Sequence, residues 1–171
     1  VEYVADNDRH ALEICREVVV QVLPNSELAG WKPNQRTPRL NTDELCGLIS
    51  IDPKEPFDIK EVIGRIADDS SYLEFKPLFG ANLTCGHASI ENHRVGILGN
   101  NGPINPDDSK KAAQFIQLCC QAGIPLVYLQ NTTGYMVGRE AEQKGAIKQG
   151  SLMIQAVANA SVPQITIIIN G

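Results

Sequence analysis

The run Gln130-Asn131-Thr132-Thr133-Gly134-Tyr135-Met136-Val137-Gly138 has the make-up of a ligand-binding loop. It is rich in small residues, follows an apolar segment and precedes a helical pattern. Gly134 and Gly138 allow close backbone approach or positive φ. Amides near a helix N-terminus can donate to an anion or to a developing oxyanion. A plain surface turn has the same composition, and the residues alone leave both readings open. In the helix expected next, Gly145, Ala146, Gly150 and Ser151 are small. Glycine inside a helix costs about 1 kcal/mol against alanine, so a ligand or a closely packed helix has to offset it, and the spacing favours helix packing. Gly99-Asn100-Asn101-Gly102 is either a backbone-donor loop or a turn, since Asn and Gly are the commonest turn residues.

Side-chain chemistry is sparse. His10, His87 and His93 stand far apart and form no HExxH or comparable ligand spacing, so no metal site is expected. No GxSxG elbow, GxxxxGK[ST] loop or GxGxxG turn occurs. Cys119-Cys120 lies beside Phe115 and Ile116 on an apolar helix face, which suits buried structural thiols better than a nucleophile. The five cysteines are odd in number and lack CxxC spacing, as in a protein of a reducing compartment. What remains is a backbone-lined site, whose chemistry would be oxyanion stabilisation without a side-chain nucleophile.

The elements that must position such a site follow from composition and periodicity. The 171 residues are 43% hydrophobic with a formal charge of −5. That is material for one ordinary domain. With lysine and arginine scattered, a nucleic-acid surface is not expected. No apolar run reaches the roughly 18 residues of a membrane span. The N-terminus lacks signal-peptide character and an initiator methionine, so the chain reads as an excised piece.

Ala11, Leu12, Cys15, Val18, Val19 and Val22 place a helix over Asp8 to Leu23. Residues 24 to 41, with Trp31, read as an irregular connection. A short helix capped by Thr42 runs to Leu48, and another opens at Pro56-Phe57-Asp58, with Asp58 as cap. Tyr72, Leu73, Phe75 and Leu78 read as core contacts. Thr84 to Ile90 and Arg94 to Leu98 form a hairpin about Glu91-Asn92-His93. The loop Gly99 to Pro103, a helix from Asp107 to Ala122, a strand from Pro125 to Gln130, a helix from Glu140 to Ala160 and a strand from Gln164 to Ile169 follow. The last strand is continuously β-branched, which predicts cover on both faces. Long crossovers suit parallel strands, and ligands in such units sit at the strands' carboxyl ends. The fold class is therefore α/β.

Gly99-Asn100-Asn101-Gly102, Phe115 to Cys120, Gly123-Ile124-Pro125-Leu126-Val127 and Gln130 to Gly138 closely resemble the carboxyltransferase β subunits of biotin-dependent acyl-CoA carboxylases, of the methylcrotonoyl-CoA and geranyl-CoA type. Pro56 to Ile63 resembles the start of that family's second domain, and Ala5 to Leu12 the end of its first. The resemblance implies a crotonase-like (ClpP/crotonase) fold of parallel strands and crossover helices. It places residues 1–55 in the tail of the N-terminal carboxyltransferase domain plus linker, and 56–171 in the first half of the C-terminal one. It implies transfer of a carboxyl group from carboxybiotin to an unsaturated acyl-CoA, with an enolate formed on the way and backbone amides holding each oxyanion.

Thr132, Thr133, Gly134, Tyr135, Gly138, Gly145 and Ala146 are the implied biotin-side residues. Tyr135 stands where the family usually has Phe, Ala146 where Ile is common, Ser151 where Ala is common, and Asn170 where Gly is frequent. The oxyanion-hole donors themselves are expected past Gly171 and before Val1, so the isolated fragment is expected to be inactive. Implied partners are an acyl-CoA, a biotin carboxylase and biotin carrier subunit, and further copies of the β subunit. Implied locations are the bacterial cytoplasm or the mitochondrial matrix. Two other readings share the scaffold: a non-catalytic assembly or CoA-ester-binding module, and a biotin-dependent acyl-CoA decarboxylase subunit.

Overall fold

A computed structural model describes residues 2–22, 36–48, 57–131 and 134–169. The connection with Trp31, the loop residues Thr132 and Thr133, and Asn170 lie outside the described residues.

The first helix, α1 (Asp8–Val22), begins at Asn7, whose side chain accepts from the His10 amide. The apolar residues that placed it are largely exposed, with Leu12 64% and Val19 50% accessible. Its last turn is held instead by Arg94, which donates to the carbonyls of Val20 and Gln21. A 3-10 turn (Thr42–Glu44) leads into α2 (Leu45–Leu48). The cap there is Asn41, not Thr42, because the Asn41 side chain reaches the Asp43 amide. Asp58 caps α3 (Ile59–Ile66) through the Lys60 amide, as expected. Arg65 closes α3 against α2, pairing with Glu61 and with Glu44, each at 2.7 Å.

Five strands form one mixed sheet in chain order: β1 (Leu73–Phe75), β2 (Leu83–Ile90), β3 (His93–Asn100), β4 (Leu126–Gln130) and β5 (Gln164–Ile168). β1, β2 and β3 are antiparallel neighbours, whereas β3, β4 and β5 run parallel. The sequence pattern did not separate β1 from a turn. Leu78, expected in the core, is 83% exposed just beyond β1. The β2–β3 turn is the two-residue Glu91-Asn92, both at positive φ (50° and 64°) as a primed hairpin turn requires. The Asp68 carboxylate accepts from both of its amides.

Helices cover both faces of this sheet. On one side α4 (Pro106–Ala122) and α6 (Ala146–Ala158) pack over Leu83, Cys85, Leu98 and Leu126, with Phe115, Ile116 and Cys119 as the centre. On the other, α3 lays Ile59, Val62 and Ile63 against Ala88, Val95, Ile97, Val127 and Leu129. β3 is thin where the helices press on it. A Cβ at Gly96 would stand 2.5 Å from Cys119 Sγ, and one at Gly99 would stand 2.6 Å from Ile59 Cγ1.

Three expectations need correction. β3 runs through Gly99 and Asn100, so the loop starts at Asn101. The expected helix from Glu140 to Ala160 is two, α5 (Arg139–Gln143) and α6, broken at Lys144-Gly145. Gly145 has φ 82°, so it serves as the left-handed break ahead of α6 and carries no mid-helix penalty. Among the described residues β5 pairs with β4 alone and is exposed along its length, not covered on both faces.

Candidate active site

The carboxyl ends of β3 and β4 open into a cleft of about 470 Å³ between the sheet and α6. Its walls are apolar, formed by Leu83, Leu98, Ile104, Met153 and Val157 among others. Asn100, Gln130, Gly134 and Tyr135 bring polar groups to the strand ends. Such a mixture of apolar lining and few polar groups is what small-molecule sites present.

Each wall has a local cause. Asn105 caps α4 by accepting from the Asp107 and Asp108 amides, and Asp108 returns the bond to the Asn105 amide at 2.8 Å. This box fixes where loop 101–105 ends. Lys111, buried one turn further on, donates to the Leu83 carbonyl at 2.8 Å and ties α4 to the start of β2. Burial lowers the Lys111 pKa and raises that of Asp108. At the other end of the cleft, the Tyr128 hydroxyl donates to Gln164 Oε1 at 2.8 Å, and Gln164 Nε2 donates to the Val157 carbonyl. That relay joins β4, β5 and α6.

The two strand-end loops also pair with each other. The Ile104 amide donates to the Gly134 carbonyl at 3.2 Å, and the Met136 amide donates to the Ile104 carbonyl at 2.9 Å. This is an isolated parallel bridge between Ile104 and Tyr135. It sets the Tyr135 ring over α6, where a Cβ at Gly150 would meet Tyr135 Cε1 at 3.5 Å. So Gly150, read from spacing as a packing glycine, does pack, against a loop side chain. Burial raises the Tyr135 phenol above its ordinary value.

Of the residues implied by resemblance, Gly134 and Tyr135 line the cleft. Gly138 (φ 124°) starts α5, and Gly145 and Ala146 form the start of α6; these three are not among its lining residues. Thr132 and Thr133 lie outside the described residues. Asn100, read as part of a backbone-donor loop or turn, contributes its side chain, and Lys111 was not singled out. An asparagine ending an apolar strand was the only available signal for Asn100, and a lysine within an apolar helix pattern the only one for Lys111.

Cys85 and Cys119 are buried structural groups, whereas Cys15 and Cys46 are exposed. All five cysteines are free. Burial pushes Cys119 up to about 12 and Cys85 higher still. Among the described residues no group of three or more His, Cys, Asp or Glu side chains converges on one point. Among the same residues no helix is long and apolar enough to cross a membrane.

An α/β unit with its cleft at the ends of parallel strands, walled by a crossover helix and two paired loops, is the class that the geometry defines. The particular family follows from comparison: residues 1–171 match the carboxyl transferase domain, and the chain belongs to that family. It is 42% identical to a probable mitochondrial methylcrotonoyl-CoA carboxylase beta chain of Drosophila melanogaster, over 99% of this chain and 32% of that protein. Among solved structures, the beta subunit of P. aeruginosa geranyl-CoA carboxylase superposes with a TM-score of 0.77 at 49% identity, over 98% of this chain and 32% of that one. Transcarboxylase 12S, solved as a hexamer with methylmalonyl-coenzyme A, superposes with a TM-score of 0.87 at 33% identity, over 98% of this chain and 34% of that one. The crotonase-like fold implied by resemblance is therefore the fold of the chain. The chain spans about a third of the length of these relatives.

Proposed function

We propose that this chain is the part of a carboxyltransferase β subunit that forms one wall of the site where a biotin-borne carboxyl group passes to an unsaturated acyl-CoA, 3-methylcrotonoyl-CoA or geranoyl-CoA. Residues 1–55 would belong to the end of the first carboxyltransferase domain and 56–171 to the first half of the second. The observation that carries the reading is the 49% identity, over 98% of the chain, to a geranyl-CoA carboxylase beta subunit. Partners in this reading are a biotin carboxylase and biotin carrier subunit and further β subunits. The location is the mitochondrial matrix or the bacterial cytoplasm, and the free thiols suit either.

The residues present suit the ureido head of biotin. That head is a compact, mostly apolar bicycle with one carbonyl and ring N–H groups, and the cleft offers apolar walls with a few polar groups at one end. Leu98, Ile104, Met153 and Val157 would hold the rings, and Gln130 and the Tyr135 hydroxyl would meet the polar edge. Bound there, biotin supplies the carboxyl group to be transferred. The chain's own part is to orient it and exclude water.

The test is ATP-dependent bicarbonate fixation by the full-length parent protein with its biotinylated partner, on 3-methylcrotonoyl-CoA, geranoyl-CoA and propanoyl-CoA. Preference for a branched unsaturated acyl-CoA is the expected result. No turnover on any of them by an assembled, biotinylated complex would overturn the proposal.

A further inference from the structure

We propose that Asn100 is a positioning residue of the candidate site, holding Asn131 at the end of β4 to Gly102 in loop 101–105, whose Ile104 in turn holds Gly134 and Tyr135 at the cleft; its kinetic consequence rests on the carboxyltransferase reading.

Asn100 is the last residue of β3 and only 4% exposed. Both ends of its amide are engaged. Nδ2 donates to the Gly102 carbonyl at 3.0 Å, and Oδ1 accepts from the Asn131 amide at 2.9 Å. Asn131 is the first residue after β4. The β3–β4 ladder ends at Gly99 and Leu129, so the side chain continues the strand pairing where backbone pairing stops. Further along, the loop is held a second time by the Ile104–Tyr135 bridge. That second anchor is backbone only, available to almost any sequence. The first needs an amide side chain, since one group must accept from Asn131 and donate to Gly102 together. Losing it leaves a part-buried N–H without its acceptor, the costlier way to break a hydrogen bond.

Asn101 is the natural control. It has the same chemistry one residue on, but it serves the other face. Its Oδ1 accepts from the Ile59 amide at 2.8 Å and its Nδ2 donates to Asp58 at 3.3 Å. Neither bond touches loop 131–138.

The experiment uses the full-length parent protein assembled with its biotinylated partner, as wild type, Asn100→Ala, Asn100→Asp and Asn101→Ala. Amide hydrogen exchange is read over peptides spanning residues 131–137. Carboxyl transfer is read in reverse, from the carboxylated acyl-CoA to free biotin. Asn100→Ala is expected to speed exchange there about tenfold, the scale of one buried hydrogen bond. The same variant is expected to raise the apparent KM for free biotin about tenfold while the KM for acyl-CoA stays within about twofold, because only the loop's wall is loosened. Asn100→Asp keeps the acceptor but loses the donor, and should fall between; it carries the same comparison if the alanine variant does not assemble. Unchanged exchange in both Asn100 variants, or an equal rise in Asn101→Ala, overturns the anchor. Faster exchange with both KM values unchanged overturns the positioning role. A wild type that transfers no carboxyl group defeats the functional reading instead, and exchange then decides the anchor by the same tenfold criterion.

Discussion

The loops that leave β3 and β4 have similar compositions and opposite construction. In the first, the asparagine side chains are spent on the scaffold. Asn101 holds the start of α3, Asn105 caps α4, and Asn82 reaches across to the Pro103 carbonyl. In the second, Tyr135 and Met136 are each 39% exposed and Val137 is 89% exposed, and the Gly134 carbonyl and the Met136 amide tie the loop to the backbone of Ile104. A loop tied by side chains fixes helices. A loop tied by backbone leaves its side chains for something outside itself. Asn and Gly content therefore does not distinguish a scaffold turn from a ligand wall; the partners of the side chains do.

The largest expected effect lies beneath the scaffold loop. His87 on β2 rests 5.0 Å from the Phe115 ring with Nδ1 unpartnered, and burial lowers its pKa to about 4. The unfolded chain binds that proton near pH 6.5. Between pH 6.5 and 4 the unfolded state therefore holds more protons, and stability falls as pH falls through that window. The loss is on the order of 3 kcal/mol by pH 4. Urea unfolding at pH 7 and pH 4.5 should show it in the wild type and show a flatter profile in His87→Leu. Equal pH slopes in the two proteins would remove His87 from the account.

Gly99→Val comes next, at about 1–3 kcal/mol of destabilisation, because its Cβ would lie 2.6 Å from Ile59 Cγ1 and α3 would have to shift. Thermal unfolding measures it, and a neutral result would mean that α3 does not press on the end of β3 as described. Asn101→Ala follows at about 1–2 kcal/mol, from the lost bonds to the Ile59 amide and the Asp58 carboxylate. If the scaffold reading of that loop is right, this variant weakens α3 and leaves loop 131–138 unmoved.

Much of the scaffold was legible in sequence because its causes are local. Asn105-Pro106-Asp107-Asp108 spells a helix start, and Asp58 before an apolar stripe spells another. The hairpin and the parallel direction of the later strands followed from alternation and crossover length. What failed depended on distant partners. Gly145 inside a helical pattern reads equally as packing glycine or as break, and only its φ decides. Asn100 looked like a turn residue because its partner, Asn131, lies 31 positions away. A topological rule pointed to the strand ends, where the cleft lies. Its polar members beyond Gly134 and Tyr135 required the assembled sheet.

The smallest expected change in stability falls on the second loop and is the sharpest test of the comparison. Val137 makes little use of its side chain within this chain, so Val137→Ser should move the unfolding free energy by no more than about 0.5 kcal/mol. Tyr135, Met136 and Val137 carry exposed apolar surface outward from the cleft. If carrier or substrate covers it in the assembled enzyme, losing roughly 1 kcal/mol of apolar burial should slow carboxyl transfer about fivefold, with unfolding unchanged. Activity and stability would then separate at Val137 and not at Asn101, where any loss of rate should accompany loss of fold. Wild-type rate in Val137→Ser would mean that the loop's exposed tip is spacer, and the contact surface would shrink to Gly134 and Tyr135.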